Sequence, residues 1–191
     1  MIGVDKPFDA PADQPDLYAG VIGGDFLRNY DVELDFPAKL MRLFRRPACY
    51  GARPAWTAPY ATVPIRVSSQ NAILLPVRLN GNSLRAILDT GATGLVLTLA
   101  AAQGAGIDAA ALRGAKTVAT SGAAGLPGTA WVHRAQALDI GVEHFTNRTI
   151  LIQDFKLPIA DMLIGEAYIQ THKIWIAYAA NLMFVQASAA N

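Results

Sequence analysis

Asp89 is the residue of this chain best placed to do chemistry. The stretch Arg85-Ala-Ile-Leu-Asp-Thr-Gly-Ala-Thr-Gly-Leu-Val-Leu-Thr98 carries an acid out of one apolar run onto a glycine turn, and a second apolar run follows at once. A carboxylate flanked by Ile87, Leu88, Leu95 and Val96 is costly to bury unless its oxygens meet donors or a partner. Gly91 and Gly94 allow a tight turn there and let amide groups approach the acid. The chemistry on offer is that of a carboxylate, taking or giving a proton. The other reactive side chains lack such a setting. His133, His144 and His172 are isolated from one another, with no metal-ligand spacing to a further His, Cys or acid. Ser121 and Ser188 stand outside any nucleophile elbow, and Cys49 has no base beside it. The glycines of Ser121-Gly-Ala-Ala-Gly-Leu-Pro-Gly128 lack the Gly-Lys-Ser/Thr ending of a phosphate loop.

A second element lies 76 residues further on, at Leu163-Ile164-Gly165, followed by Glu-Ala-Tyr-Ile-Gln-Thr-His-Lys-Ile-Trp. Asp89-Thr90-Gly91 with its apolar flanks, and Leu163-Ile164-Gly165 in this order and at this spacing, resemble the paired motifs of the retropepsin-like aspartic proteases. The resemblance implies a mainly β fold: a closed β barrel with a flap hairpin and one short helix near the C-terminus, here Glu166 to His172. It implies that Asp89 activates a water, that the Thr90 hydroxyl braces the loop, and that Gly91 supplies its bend. It implies a flap over the substrate, which the glycine-dense tip Gly122-Ala123-Ala124-Gly125 would provide between arms at 116–120 and 129–133. Such a tip swings with little steric penalty, which suits a lid. No metal and no cofactor belong to this chemistry.

The beginning of the chain repeats its end. Residues 21–45 lie on residues 163–187 without a gap, at an offset of 142: Ile22-Gly23 falls on Ile164-Gly165, Phe26 on Tyr168, and Leu40-Met41 on Leu182-Met183. Residues 1–45 therefore read as the closing segment of a first protease-like copy. Residues 46–59, with Pro47, Pro54, Pro59 and Gly51, read as a linker, and 60–191 as a complete copy. The counterpart of Asp89 in the first copy would precede Met1. Aspartic proteolysis needs two carboxylates facing one water, so a homodimer or a second protease-like copy is the expected partner.

Local signals fill in the second copy. Segments 61–67 and 72–79 read as strands, with Pro64 and Pro76 at edges or ends. Asn80-Gly81 signals a type I′ hairpin into Ser83–Leu88. Thr98 is a helix cap for 99–103, ended by Gly104. A hairpin turns at Gly141 and leads into 149–153. Trp131, Trp175, Tyr168 and Tyr178 read as packing residues. Asp25, Asp31, Asp35, Asp139, Asp154 and Asp161 read as solvated, capping or turn residues.

Composition sets broad limits. The 191 residues are 52% hydrophobic and 16% charged, far from a disordered chain. A net charge of +1 gives no reason to expect nucleic acid or an anionic membrane as partner. No apolar run approaches the ~20 residues of a spanning helix, and the first residues lack the pattern of a secretory signal. The compartment stays open, since export is implied only by the resemblance. Cys49 is the sole cysteine, so no intrachain disulfide forms. The sequence thus leaves two readings. One is an aspartic endopeptidase acting on peptides or proteins. The other is a protease-fold module that binds peptides or acts as a scaffold because no second Asp is presented to it.

Overall fold

A computed structural model describes residues 21–45, 53–121 and 127–187. Cys49, and the tip residues Gly122, Ala123, Ala124 and Gly125, lie outside them. In chain order the elements are α1 (Gly24–Leu27), β1 (Tyr30–Asp35), β2 (Leu40–Arg45), β3 (Ala61–Pro64), β4 (Arg66–Val67), β5 (Ile73–Leu79), β6 (Asn82–Leu88) and β7 (Leu95–Thr98). There follow α2 (Leu99–Gly104), α3 (Ala109–Leu112), β8 (Thr117–Ser121), β9 (Pro127–Ile140), β10 (Glu143–Gln153), β11 (Met162–Ile164), α4 (Glu166–Ile169), β12 (His172–Ala177) and β13 (Leu182–Ala187).

The strands form two sheets. One has the order β2-β1-β12-β13-β3. The other runs β4-β5-β6-β11-β7-β10-β9-β8, and an extra β5–β9 pairing closes six of its strands into a ring. Its strands contribute Leu75, Val77, Leu79, Leu97, Leu138, Ile140, Ile150, Ile152, Met162 and Ile164 to the buried core. The alternation along β5, with Ile73, Leu75, Val77 and Leu79 buried and Pro76 and Arg78 exposed, is what a half-buried strand requires. Fold and sequence agree that the chain is mainly β with short helices.

Several boundaries differ from the sequence reading. The expected strand 61–67 is two strands in different sheets. Pro64 ends β3, and Ile65 donates to Asn181 O at 3.0 Å as the chain crosses over. Pro76 sits inside β5 rather than at its end. On that strand's outer side the partner changes from β4, paired through Leu74, to β9, paired from Val77, and neither of these is paired at Pro76, which opposes Arg85 of β6 on the other side. The helix expected over 166–172 ends at Ile169, and His172 opens β12 instead. Helix α3, capped by the Asp108 carboxylate, carried no strong periodic signal. Asn80 and Gly81, with φ of 49° and 86°, form the left-handed pair that a type I′ turn demands.

Thr98 caps α2 by accepting the Ala101 N–H at 3.2 Å. Thr98→Ala should therefore cost about 1 kcal/mol, read as a lower urea midpoint with unchanged slope.

Residues 21–45 and 163–187 follow the same path. Helix, strand and strand begin and end at equivalent positions throughout. The hairpin registers coincide, Tyr30 opposing Arg45 as His172 opposes Ala187. Lys39 and Asn181, equivalent turn residues, both take positive φ, 54° and 53°. The two units meet through β1 and β12, where the equivalent residues Glu33 and Trp175 face each other. On either side Val32 opposes Ile176 and Leu34 opposes Ile174, so this pairing has a local two-fold axis.

Candidate active site

The site is a loop thrown across one strand. β11 lies between β6, parallel to it, and β7, antiparallel to it, with Ile164 opposite both Leu88 and Leu95. The chain leaving β6 at Leu88 must cross the end of β11 to enter β7, and Asp89–Gly94 make that crossing. Asp89 N–H donates to Ile164 O at 2.9 Å, fixing the start of the loop to β11. Beyond β11 the chain turns into α4, and its first amides hold the loop from below. Gly165 N–H donates to Gly94 O at 3.0 Å, Glu166 N–H to Ala92 O at 2.7 Å, and Ala167 N–H to Thr93 O at 3.2 Å. The amides of a helix start, which have no intrahelical partner, are thus satisfied by loop carbonyls. This is the physical link between Leu163-Ile164-Gly165 and Asp89-Thr90-Gly91: one is the seat of the other.

On that seat Asp89 is half-buried, while Thr90 and Gly91 are exposed. The Gly91 N–H donates to Asp89 Oδ1 at 2.9 Å. Asp89 Oδ2 and the Thr90 hydroxyl have no hydrogen-bond partner among the described residues. A Cβ on Gly91 would lie 3.3 Å from Asp89 Oδ1, a tight approach. β8 and β9 pair as far as Ser121 opposite Pro127, which makes them the arms of the hairpin that carries residues 122–126. At its base Gly128 leaves room for the Thr120 hydroxyl and the Gln153 amide, each 2.8 Å from where a Cβ would stand.

Asp161 has a structural role. Its carboxylate accepts the Arg85 N–H at 2.9 Å, its N–H donates to Arg85 O at 2.8 Å, and its carbonyl accepts Thr98 N–H at 3.0 Å. It pins β6 and β7 on the far side of the loop. His144 pairs with Asp139 on the surface, and His133 is half-buried. Among the described residues no group of His, Cys, Asp or Glu could hold a metal ion.

Behind α4 lies a polar cluster that the sequence did not announce. Glu143 accepts from the Tyr168 hydroxyl, and its other oxygen lies 3.1 Å from His172 Nε2. His172 Nδ1 is 2.6 Å from Tyr168 O, and the two rings stack with centroids 4.0 Å apart. Burial pushes the Glu143 carboxyl up, but the hydrogen bonds from His172 and Tyr168 and the His172 charge outweigh it and hold it below its ordinary 4.5. Burial first, and Glu143 second, push the Tyr168 hydroxyl far above its usual range. A depressed carboxyl adds stability that is complete above the unfolded value and lost as pH falls through the folded one. Glu143→Gln should thus be about 1–2 kcal/mol less stable at neutral pH, with the gap closing below pH 4.5. Melting temperatures from pH 2 to 7 read this directly.

Residues 75–168 match the family model described as aspartyl protease. The solved structure of a retropepsin-like aspartic protease from Rickettsia conorii is similar to 70% of this chain and 96% of its own, with TM-score 0.52 and 21% identity. Basic 7S globulin from soybean is a more distant likeness, at TM-score 0.43 and 13% identity over 68% of this chain and 42% of that one. Comparison with curated proteins gives no match. The strand-crossing acid loop, its helical seat and the ring of strands are those of a protease-type fold. Residues 75–168 carry the match to the aspartyl protease family, and the fold is retropepsin-like.

Proposed function

We propose that this chain supplies one catalytic lobe of an aspartic endopeptidase, with Asp89 as one of two carboxylates that share a water and a proton. The observation that carries the reading is the Asp89 carboxylate itself. One oxygen is held by the Gly91 amide, the other has no partner among the described residues, and the loop beneath is locked onto α4. In the reaction the ionised aspartate takes a proton from the attacking water, and the protonated one donates to the scissile carbonyl oxygen. Two like charges this close cannot both ionise readily, which keeps one proton between them. Peptide lies under the hairpin of β8 and β9, with Gly122, Ala123, Ala124 and Gly125 against its backbone. Gly91 supplies the amide that orients the Asp89 carboxylate, and Thr90 follows it on the exposed side of the loop.

One Asp89 per chain means the second carboxylate comes from another lobe, either a second copy of this chain or another lobe of the same fold. A peptide-binding module is the reading that holds if no such lobe is ever presented. The test is cleavage of a peptide library between pH 3 and 7 at several protein concentrations, with a pepstatin-type inhibitor as control. Turnover should rise faster than linearly with concentration while lobes are still pairing. Turnover strictly proportional to protein, under conditions where sedimentation shows single chains, would rule out the two-carboxylate mechanism.

A further inference from the structure

The large apolar side chains left exposed are concentrated in one place. Among the described residues, Val21, Ile22, Phe26, Leu40, Met41, Leu43 and Phe44 are exposed, and Val142 is the only one elsewhere. A cluster of this kind marks an interaction surface more often than chance. The repeat says what it should touch. Ile22, Phe26, Met41 and Leu43 are between 38% and 56% exposed, whereas their equivalents Ile164, Tyr168, Met183 and Val185 are at most 2% exposed. Those four equivalents belong to the buried core that includes the ring of strands. Corresponding elements therefore present the same apolar face, once against the ring of strands and once against nothing described.

The sheet repeats the asymmetry. β13 carries β3 on its outer side, with Met183 opposite Val63. Among the described residues β2, the equivalent of β13, ends the sheet with an unpaired edge. A bare edge of Leu40, Met41, Leu43 and Phe44 is a template for another strand.

We propose that residues 21–45 are the seat of a second retropepsin-like lobe that lacks a closing unit of its own. Its leading strand pairs with β2 as β3 pairs with β13, making a six-stranded sheet about the two-fold axis at Glu33 and Trp175. A second copy of this chain does not fit the seat, because its barrel already carries α4, β12 and β13 where residues 21–45 would go. The proposal rests on the two-lobe reading above and narrows it: the second carboxylate arrives on a lobe seated at 21–45.

The test uses the full chain with a copy of its own residues 53–162 inserted between Gly20 and Val21, so that Met162 of the insert precedes Val21. Hydrogen exchange of the β2 amides should be about a hundredfold slower than in the unmodified chain. Dye binding to exposed apolar surface should fall, and the protein should stay monomeric. Leu43→Lys should remove that protection in the inserted form, yet leave the melting temperature of the unmodified chain unchanged. Should near-UV dichroism show that the insert has not folded, a synthetic peptide of residues 58–68 at millimolar concentration takes its place and should protect the same amides. Unchanged β2 exchange with either probe overturns the proposal. So does protection already present in the unmodified chain, through its own residues or through dimers. Protection without peptide cleavage would uphold the seat and count against the peptidase reading, so the two fail separately.

Discussion

Gly165→Ala is expected to destabilise the chain by about 3 kcal/mol, the upper part of the range for overpacking, whereas Gly23→Ala should cost well under 1 kcal/mol. The two glycines are equivalent in the repeat, and both are the N-caps of four-residue helices with the same hydrogen bonds, to Phe26 and Leu27 in one case and Tyr168 and Ile169 in the other. Whatever alanine costs as a cap is therefore common to both. The surroundings differ. A Cβ on Gly165 would come within 2.5 Å of Gly94 O and closer still to Ala92 O, both backbone atoms of the Asp89 loop. Those carbonyls are already bonded to Gly165 and Glu166 amides, so the loop cannot retreat without breaking its seat. A Cβ on Gly23 meets only the Asp25 carboxylate, the movable end of a side chain. Urea unfolding of the two variants measures the difference. Equal destabilisation would mean that the loop does not bear on Gly165, and with it would go the account of why Leu163-Ile164-Gly165 accompanies Asp89-Thr90-Gly91.

That pairing was legible in the sequence because each half has a local signature, an acid between apolar runs and a glycine after one. The resemblance gave only their order and spacing; their contact comes from the strand order β6-β11-β7. The likeness of 21–45 to 163–187 was legible because it is ungapped, and the two segments share details no pattern states, such as positive φ at both Lys39 and Asn181. What stayed hidden depends on residues brought together only by closure of the ring. Glu143 is 25 residues from Tyr168 and 29 from His172, and nothing about its neighbours marks it as their half-buried partner. The family resemblance implies a helix over 166–172, whereas the ladder between His172 and Ala187 holds His172 in β12. The split of 61–67 between sheets is likewise decided by a partner, Asn181 O, far along the chain.

Asp89→Asn is expected to lower peptide cleavage by at least about a thousandfold, within the range for removal of a general acid–base group, while leaving the fold intact. The asparagine carbonyl can still accept the Gly91 N–H, and the backbone bonds to Ile164 and α4 do not involve the side chain. Since Asp89 is only half-buried and Oδ2 has no described partner, the exchange should change stability by no more than about 0.5 kcal/mol in an isolated lobe. Where two lobes are paired the sign should turn favourable. Two carboxylates near 4 Å repel by about 4 kcal/mol at an effective dielectric of 20, and the amide removes that repulsion at any pH where both would ionise. Lobe association should therefore tighten in the variant as cleavage disappears, most clearly toward neutral pH. Cleavage assays and sedimentation on the same samples between pH 3 and 7 test both halves. Cleavage that survives the substitution would remove Asp89 from the chemistry. Association unchanged by it at every pH would show that the two carboxylates never face each other.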